Sequence, residues 1–300
     1  MEVYLQQLIN GIQYGSIYAL IAVGYTMVYG VLRLINFAHG DVYMLGAFIA
    51  YYTIMFFGLH QHPSASNFLF VLIVCMVICA MVGMLIERLA YRPIRNAPRL
   101  TALITAIGVS LLLENGGIVV FGADPKYIPA MLESNTPTQG GLYISAGQMT
   151  MLAVSIVFMV ILRFIVMNTR FGRAMRAISY DIDAARLMGI DVDRVIALTF
   201  ALGSALAGAA GMMVATFTNV KITPLFGLLP GVKAFVAAVL GGIGNIPGAV
   251  LGGILMGVIE AFVGGSALTT YRDAIAFLIL ILVLLLRPGG ILGKATVEKV

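Results

Sequence analysis

The chain has 300 residues, 61% hydrophobic and 10% charged, with a mean hydropathy of +1.02. That composition excludes a soluble globular domain and a disordered chain, and the lack of recurring ten-residue alternating segments excludes a transmembrane barrel. An all-α polytopic membrane protein remains, in which the net charge of +5 reads as basic loops orienting the spans rather than as a nucleic-acid surface.

Met1-Glu2-Val3 offers no basic n-region and no A-x-A site follows the first apolar run, so Leu5 to Val31 reads as a retained span. A short polar cluster, Arg33 to Asp41, precedes the second apolar run, Val42 to Phe57. Such a cluster is either a tight loop or a break at membrane depth, and a break is tolerated only where protein or a water-filled cavity surrounds it. His39 and Asp41 lack a third ligand at zinc-like spacing and a nearby nucleophile, so turn and packing roles outrank a metal or catalytic site.

Asn67 to Ile86 is a third span, and Cys75 and Cys79, four apart, read as core residues of one helix face. It ends at Glu87-Arg88 and a basic loop with Arg92, Arg95 and Arg99. Leu100 to Phe121 is a fourth, with Glu114 near its far end, either lining a path or capping the span at the interface. An irregular polar loop, Ala123 to Gly147, leads to the fifth span, Met149 to Met167.

Arg170 to Arg194 then places five arginines and four aspartates between two apolar runs, so it cannot enter lipid. Asp181 can cap a short helix from Ile182 to Met188, and Gly189 can end it in the left-handed conformation. Met175, Ile178, Ile182 and Ala185 fall at helical spacing, which gives the segment a packing face. Asp183-Ala184-Ala185, three residues and Gly189 match the E-A-A-x-x-x-G signature of the coupling loop in ABC-importer permeases, with Asp for Glu. There the small alanines let the helix sit deep in a partner's groove.

Val195 to Phe217 is a sixth span with a face of Gly and Ala suited to close helix contact. Phe226 to Val263 consists of two apolar halves joined by G-G-I-G-N-I-P-G, which either cross twice or dip and return. Lys233 lies 13 residues before Ile246 (246 − 233) and Glu260 14 after it (260 − 246), so a hairpin brings both to one depth. An ion pair is the structural reading and a gate or substrate contact the functional one. Ala274 to Leu286 is the last run, followed by Arg287 and a tail with Lys294 and Lys299.

If the loops richest in Lys and Arg are cytoplasmic, the amino terminus is periplasmic, the carboxyl terminus cytoplasmic, and one transmembrane domain, 1–300, makes about eight or nine crossings. The coupling segment, about 170–194, then faces the ATP-containing side. No G-x-x-x-x-G-K-[ST] occurs. Gly289 to Ala295 is one residue short of it and Ala295 has no hydroxyl for Mg²⁺, so another chain must hold ATP.

The strings I-N-F-A-H-G-D, E-R-L-A-Y-R-P-I-R, D-A-A-R-L-M-G-I-D and V-L-G-G-I-G-N-I-P-G resemble those of the inner-membrane permease subunit of branched-chain amino-acid ABC importers, over nearly the whole chain. The resemblance implies a non-enzymatic subunit without cofactor or metal that moves leucine, isoleucine or valine by alternating access. Its implied partners are membrane lipid, a second similar permease, two cytoplasmic ATPases carrying ATP and Mg²⁺, and a periplasmic solute-binding protein. Asp181, Asp183, Ala184, Ala185 and Gly189 then form the coupling helix. A cavity for an aliphatic amino acid needs apolar walls and a few polar groups, and the candidates are Asn36, His39 and Asn245, with Asp41 and Glu114 also near the path. Permeases for urea and short amides look similar and stay open as the alternative. An ATP-independent secondary transporter or channel is a rival, but it would place paired acids or a selectivity ring in mid-membrane.

Overall fold

The computed structural model describes residues 2–129, 131, 138–139, 142–287 and 289–293. Eleven α-helices account for most of them: α1 (Glu2–Leu32), α2 (His39–Phe56), α3 (Ala65–Ile86), α4 (Arg99–Phe121), α5 (Ala146–Asn168), α6 (Arg170–Tyr180), α7 (Ile182–Leu187), α8 (Val192–Phe217), α9 (Leu228–Gly241), α10 (Ile246–Gly264) and α11 (Arg272–Leu286). A π-helical turn, Glu87–Tyr91, extends α3, and Thr138–Gln139 pairs antiparallel with Leu142–Tyr143 in the long loop. The tail lysines Lys294 and Lys299 lie outside the described residues.

Seven helices, namely α1, α3 with its π-turn, α4, α5, α8, α10 and α11, are long and apolar enough to cross a bilayer. α1 and α8 are the most enclosed, whereas α4, α5 and α11 leave Leu, Ile, Val and Phe side chains on the outside, the surface that lipid or a neighbouring subunit would cover.

Small residues decide how closely the inner helices approach. α10 runs antiparallel to α1 with Gly253 against Ala19 and Gly257 against Gly15, backbone on backbone. The Gly and Ala face of α8 lies between α2 and α3: Gly46 meets Gly208, Gly211 meets the Tyr43 carbonyl, and Cys79 packs on Gly208. Both cysteines are buried and free, and their thiols point at the Gly46 and Val42 carbonyls of α2. A methyl at Gly46 would collide with the Gly208 backbone, which no side-chain rotation relieves. Gly46→Ala should therefore lower stability by about 2 kcal/mol, an overpacking cost. An unchanged unfolding midpoint in detergent would show that α2 and α8 can part freely.

Two helices are incomplete, and they meet. Residues 33–38 carry no helix, and His39, the first residue of α2, packs beside Gly24, eight residues inside the end of α1. That places the start of α2 about 12 Å along the helix axis from Leu32. The polar cluster is thus a break at depth, and Asn36, His39 and Asp41 are buried within protein. α9, with 14 residues, is about 21 Å long, too short for the ~30 Å hydrocarbon core. Its first turn begins beside α2, where Gly40 touches Gly227 and Gly231. The region 226–263 is therefore a helix too short to span followed by a full-length one.

The α9–α10 turn shares one end of the bundle with Gly30 of α1, with α6 and with residues 289–293, whose amides at Ile291 and Leu292 donate to the Leu240 and Gly241 carbonyls at 2.9 and 3.0 Å. Asn245 belongs to this end. Its side chain caps α10 through the Gly248 amide at 3.3 Å and donates to the Leu292 carbonyl at 2.8 Å.

Candidate functional site

α6 and α7 emerge at that same end. Thr169 and Asp181 act as N-caps, the Asp181 carboxylate accepting from the Asp183 and Ala184 amides, both at 2.9 Å. Gly189, at φ +79°, turns the chain out of α7, and Asp191 caps α8 through the Arg194 amide at 3.0 Å. Each boundary follows from a side chain able to satisfy a free helix amide, or from the one residue that takes positive φ without strain.

A six-residue helix cannot stand alone and needs one face on the body. Ala185 supplies it, buried in the same core as Met175 and Ile178 of the preceding helix α6. This corrects the expectation that both alanines enter a partner's groove: Ala184 is exposed, but Ala185 belongs to the chain's own packing. The residues presented outward are Tyr180, Leu187 and Met188, at 90%, 89% and 82% exposure. Sequence reasoning missed them, because apolar residues at the edge of a helical pattern look like core. The ion pair between Arg186 and Asp183, at 3.5 Å, is on the surface and adds little.

An ionic cluster, buried at Glu87 and Arg95 and exposed at Arg92 and Asp193, ties this end to α3. Arg95 reaches Glu87 at 2.7 Å and Asp193, in the first turn of α8, at 2.6 Å, and Arg92 also pairs with Asp193. The Tyr91 hydroxyl donates to Asn36 Oδ1 at 3.0 Å, so the string around Glu87 braces the string around Asn36. Asn36 thus faces Tyr91, and His39 packs edge-on against Tyr25 with ring centroids 4.6 Å apart.

The polar groups that face open space are others. A cavity of about 70 Å³ lies where the first turns of α2 and α9 meet, lined by Tyr25, Phe37, Asp41, Ser110, Gly231 and Phe235 among others. Ser110 of α4 donates to Asp41 Oδ2 at 2.5 Å, and Glu114 stands one turn further along the same helix face, 8% exposed. Glu114 is therefore a buried residue, not an interfacial cap. Ser110 carries no signal in the sequence that separates it from an ordinary helix serine.

Lys233 and Glu260 come together at 2.6 Å, but not as an isolated pair. Lys233 also reaches Asp273 at 2.6 Å, and Arg272 comes within 2.8 Å of Glu260, so α9, α10 and α11 share one four-charge cluster. Among the described residues no group of three or more His, Cys, Asp or Glu could hold a metal ion.

Residues 7–284 match the family described as the permease component of the branched-chain amino acid transport system. The chain belongs to that family. Relatives similar to this permease include the high-affinity branched-chain amino acid transport system permease protein LivH of Salmonella typhimurium, 45% identical over 99% of this chain and 98% of its own length. BraD of Pseudomonas aeruginosa, of the same description, is 45% identical over the same shares of the two chains. The probable LivH of Methanocaldococcus jannaschii is 30% identical over 95% of this chain and 91% of its own.

Proposed function

We propose that this permease is the membrane-spanning subunit of an ATP-driven importer for branched-chain amino acids, a multi-pass protein of the inner membrane with α6 and α7 on the cytoplasmic side. The observation that carries the reading is the exposed apolar knob on α7, held by a capped and glycine-terminated turn on the basic end of the bundle. Large apolar side chains are costly in water, and a cluster of them on a rigid helix marks a surface that another protein covers. The substrate comes from the relatives, two of them 45% identical and named for branched-chain amino acids.

The permease does no covalent chemistry, and ATP is hydrolysed on separate cytoplasmic subunits. A second similar permease and a periplasmic binding protein complete the importer. When the ATPases close, they move α7, and through the core contacts of Ala185, Met175 and Ile178 that motion reaches α5 and α8. The cavity between the two half-buried helix starts is then exposed to one side and afterwards to the other.

Purified with its companion permease, ATPases and binding protein and reconstituted in liposomes, the permease should accumulate leucine, isoleucine or valine only when ATP and binding protein are both present. Uptake without ATP, or purification without an ATPase, would sink the reading. Accumulation of urea in place of the amino acids would move it to the amide branch of the family.

A further inference from the structure

Charge is unbalanced around the cavity at the meeting of α2 and α9. Asp41 lines it, 2% exposed, and its hydrogen-bond partner is the neutral Ser110. Glu114, on the same face of α4, is also buried, and among the described residues no hydrogen bond or ion pair reaches it. No Lys or Arg among the described residues pairs with either carboxylate, whereas the cluster at Lys233 holds two cations against two acids and the one at Arg95 two against two. A buried carboxylate without a counter-charge is costly at membrane depth, and groups of this kind that face a cavity mark the path of a substrate or ion.

The walls say what kind of cation. Tyr25, Phe37 and Phe235 stand around the same cavity, Phe235 with ring centroids 5.9 Å from Tyr25 and 6.0 Å from Phe37. Aromatic faces beside a carboxylate attract an organic ammonium, whose charge is spread over C–H and N–H groups. An inorganic ion requires a shell of oxygen ligands, and three rings cannot furnish one. The backbones of Gly40, Gly227 and Gly231, packed against one another, form another side, so the cavity wall there carries no side chain.

We propose that Asp41, framed by Tyr25, Phe37 and Phe235 and held by Ser110, receives the ammonium group of the amino acid as it crosses, with the aliphatic side chain against the rings. This rests on the reading of the chain as an amino-acid permease, and it gives the permease a criterion of its own: a neutral amide has no charge to offer Asp41.

The test uses the complete reconstituted importer with Asp41→Asn and Asp41→Glu. Asparagine keeps the size of Asp41 and its hydrogen bond to Ser110 but removes the charge, and glutamate restores the charge. Initial leucine uptake per assembled complex should fall at least tenfold in Asp41→Asn, and Asp41→Glu should keep a third or more of the rate. Uptake within twofold of normal in Asp41→Asn overturns the proposal, because a protonated or merely structural carboxyl would tolerate that change. Equal loss in both variants, or failure of Asp41→Asn to assemble, also overturns it by assigning Asp41 to packing. If the unmodified importer takes up no branched-chain amino acid, the functional reading fails before any variant is compared.

Discussion

Replacing Leu187 and Met188 together with aspartate should abolish ATP-driven uptake while the permease still inserts and folds. Both side chains are more than four-fifths exposed at the tip of α7 and contribute nothing to the core. If an ATPase covers them, they sit at the centre of that interface, where losing an anchor costs about 2 kcal/mol or more. That is at least about thirtyfold in affinity before the charge of the new carboxylates is counted. The helix has its own support in the Asp181 cap and in Ala185, neither of which is touched. An acid at a helix C-terminus does cost up to ~1 kcal/mol, so the lysine pair Leu187→Lys, Met188→Lys is the control. Loss in both pairs assigns the effect to docking, and rescue by lysine assigns it to the helix dipole. Normal uptake in the aspartate pair, with the ATPase still co-purifying, would refute the docking role of α7.

The sequence disclosed α7 because its limits are local. A cap needs only its own carboxylate and the next two amides, and the exit needs only a glycine, so Asp181 and Gly189 could be placed without a fold. The long spans were legible for a similar reason, since burial in lipid imposes apolar runs on the chain itself. Their ends came out two or three residues short wherever polar residues continue the helix, as at His39 to Asp41 in α2 and Val192 to Arg194 in α8.

What could not be read is tertiary. Whether Arg33 to Asp41 is a loop or a break depends on Gly24, which leaves space for the His39 ring, and on Gly203, which lets α8 lie against the Gly24 backbone. The depth of α9 is set by Gly40, nearly two hundred residues earlier, and its short length alone left two topologies open. Asn36 and Asn245 resemble substrate contacts in sequence because asparagine in an apolar chain needs a reason. Here the reasons are Tyr91 and the Leu292 carbonyl. The polar groups that do face a cavity include Ser110, which only the packing of α4 on α2 brings to Asp41.

The Lys233–Glu260 cluster gives the second large effect. Hairpin arithmetic identified two of its members, but Arg272 and Asp273 change the outcome expected from mutation. The four charges sum to zero, and the inner pair is the buried one, with side chains 9% and 2% exposed against 37% and 49% for the outer pair. Lys233→Met leaves Glu260 with Arg272 as its remaining counter-charge and deprives Asp273 of its partner. Breaking a buried pair costs about 3–5 kcal/mol, and the lower end applies because Arg272 remains in contact. In the double variant Lys233→Met, Glu260→Leu no buried charge is left, and Arg272 and Asp273 can both turn to water or to each other. The double variant should therefore unfold in detergent at a higher temperature than Lys233→Met alone, close to the unmodified permease. Equal destabilisation in the single and double variants would mean that the pair is not what holds α9 to α10, and that Lys233 acts through its packing against the neighbouring helices instead.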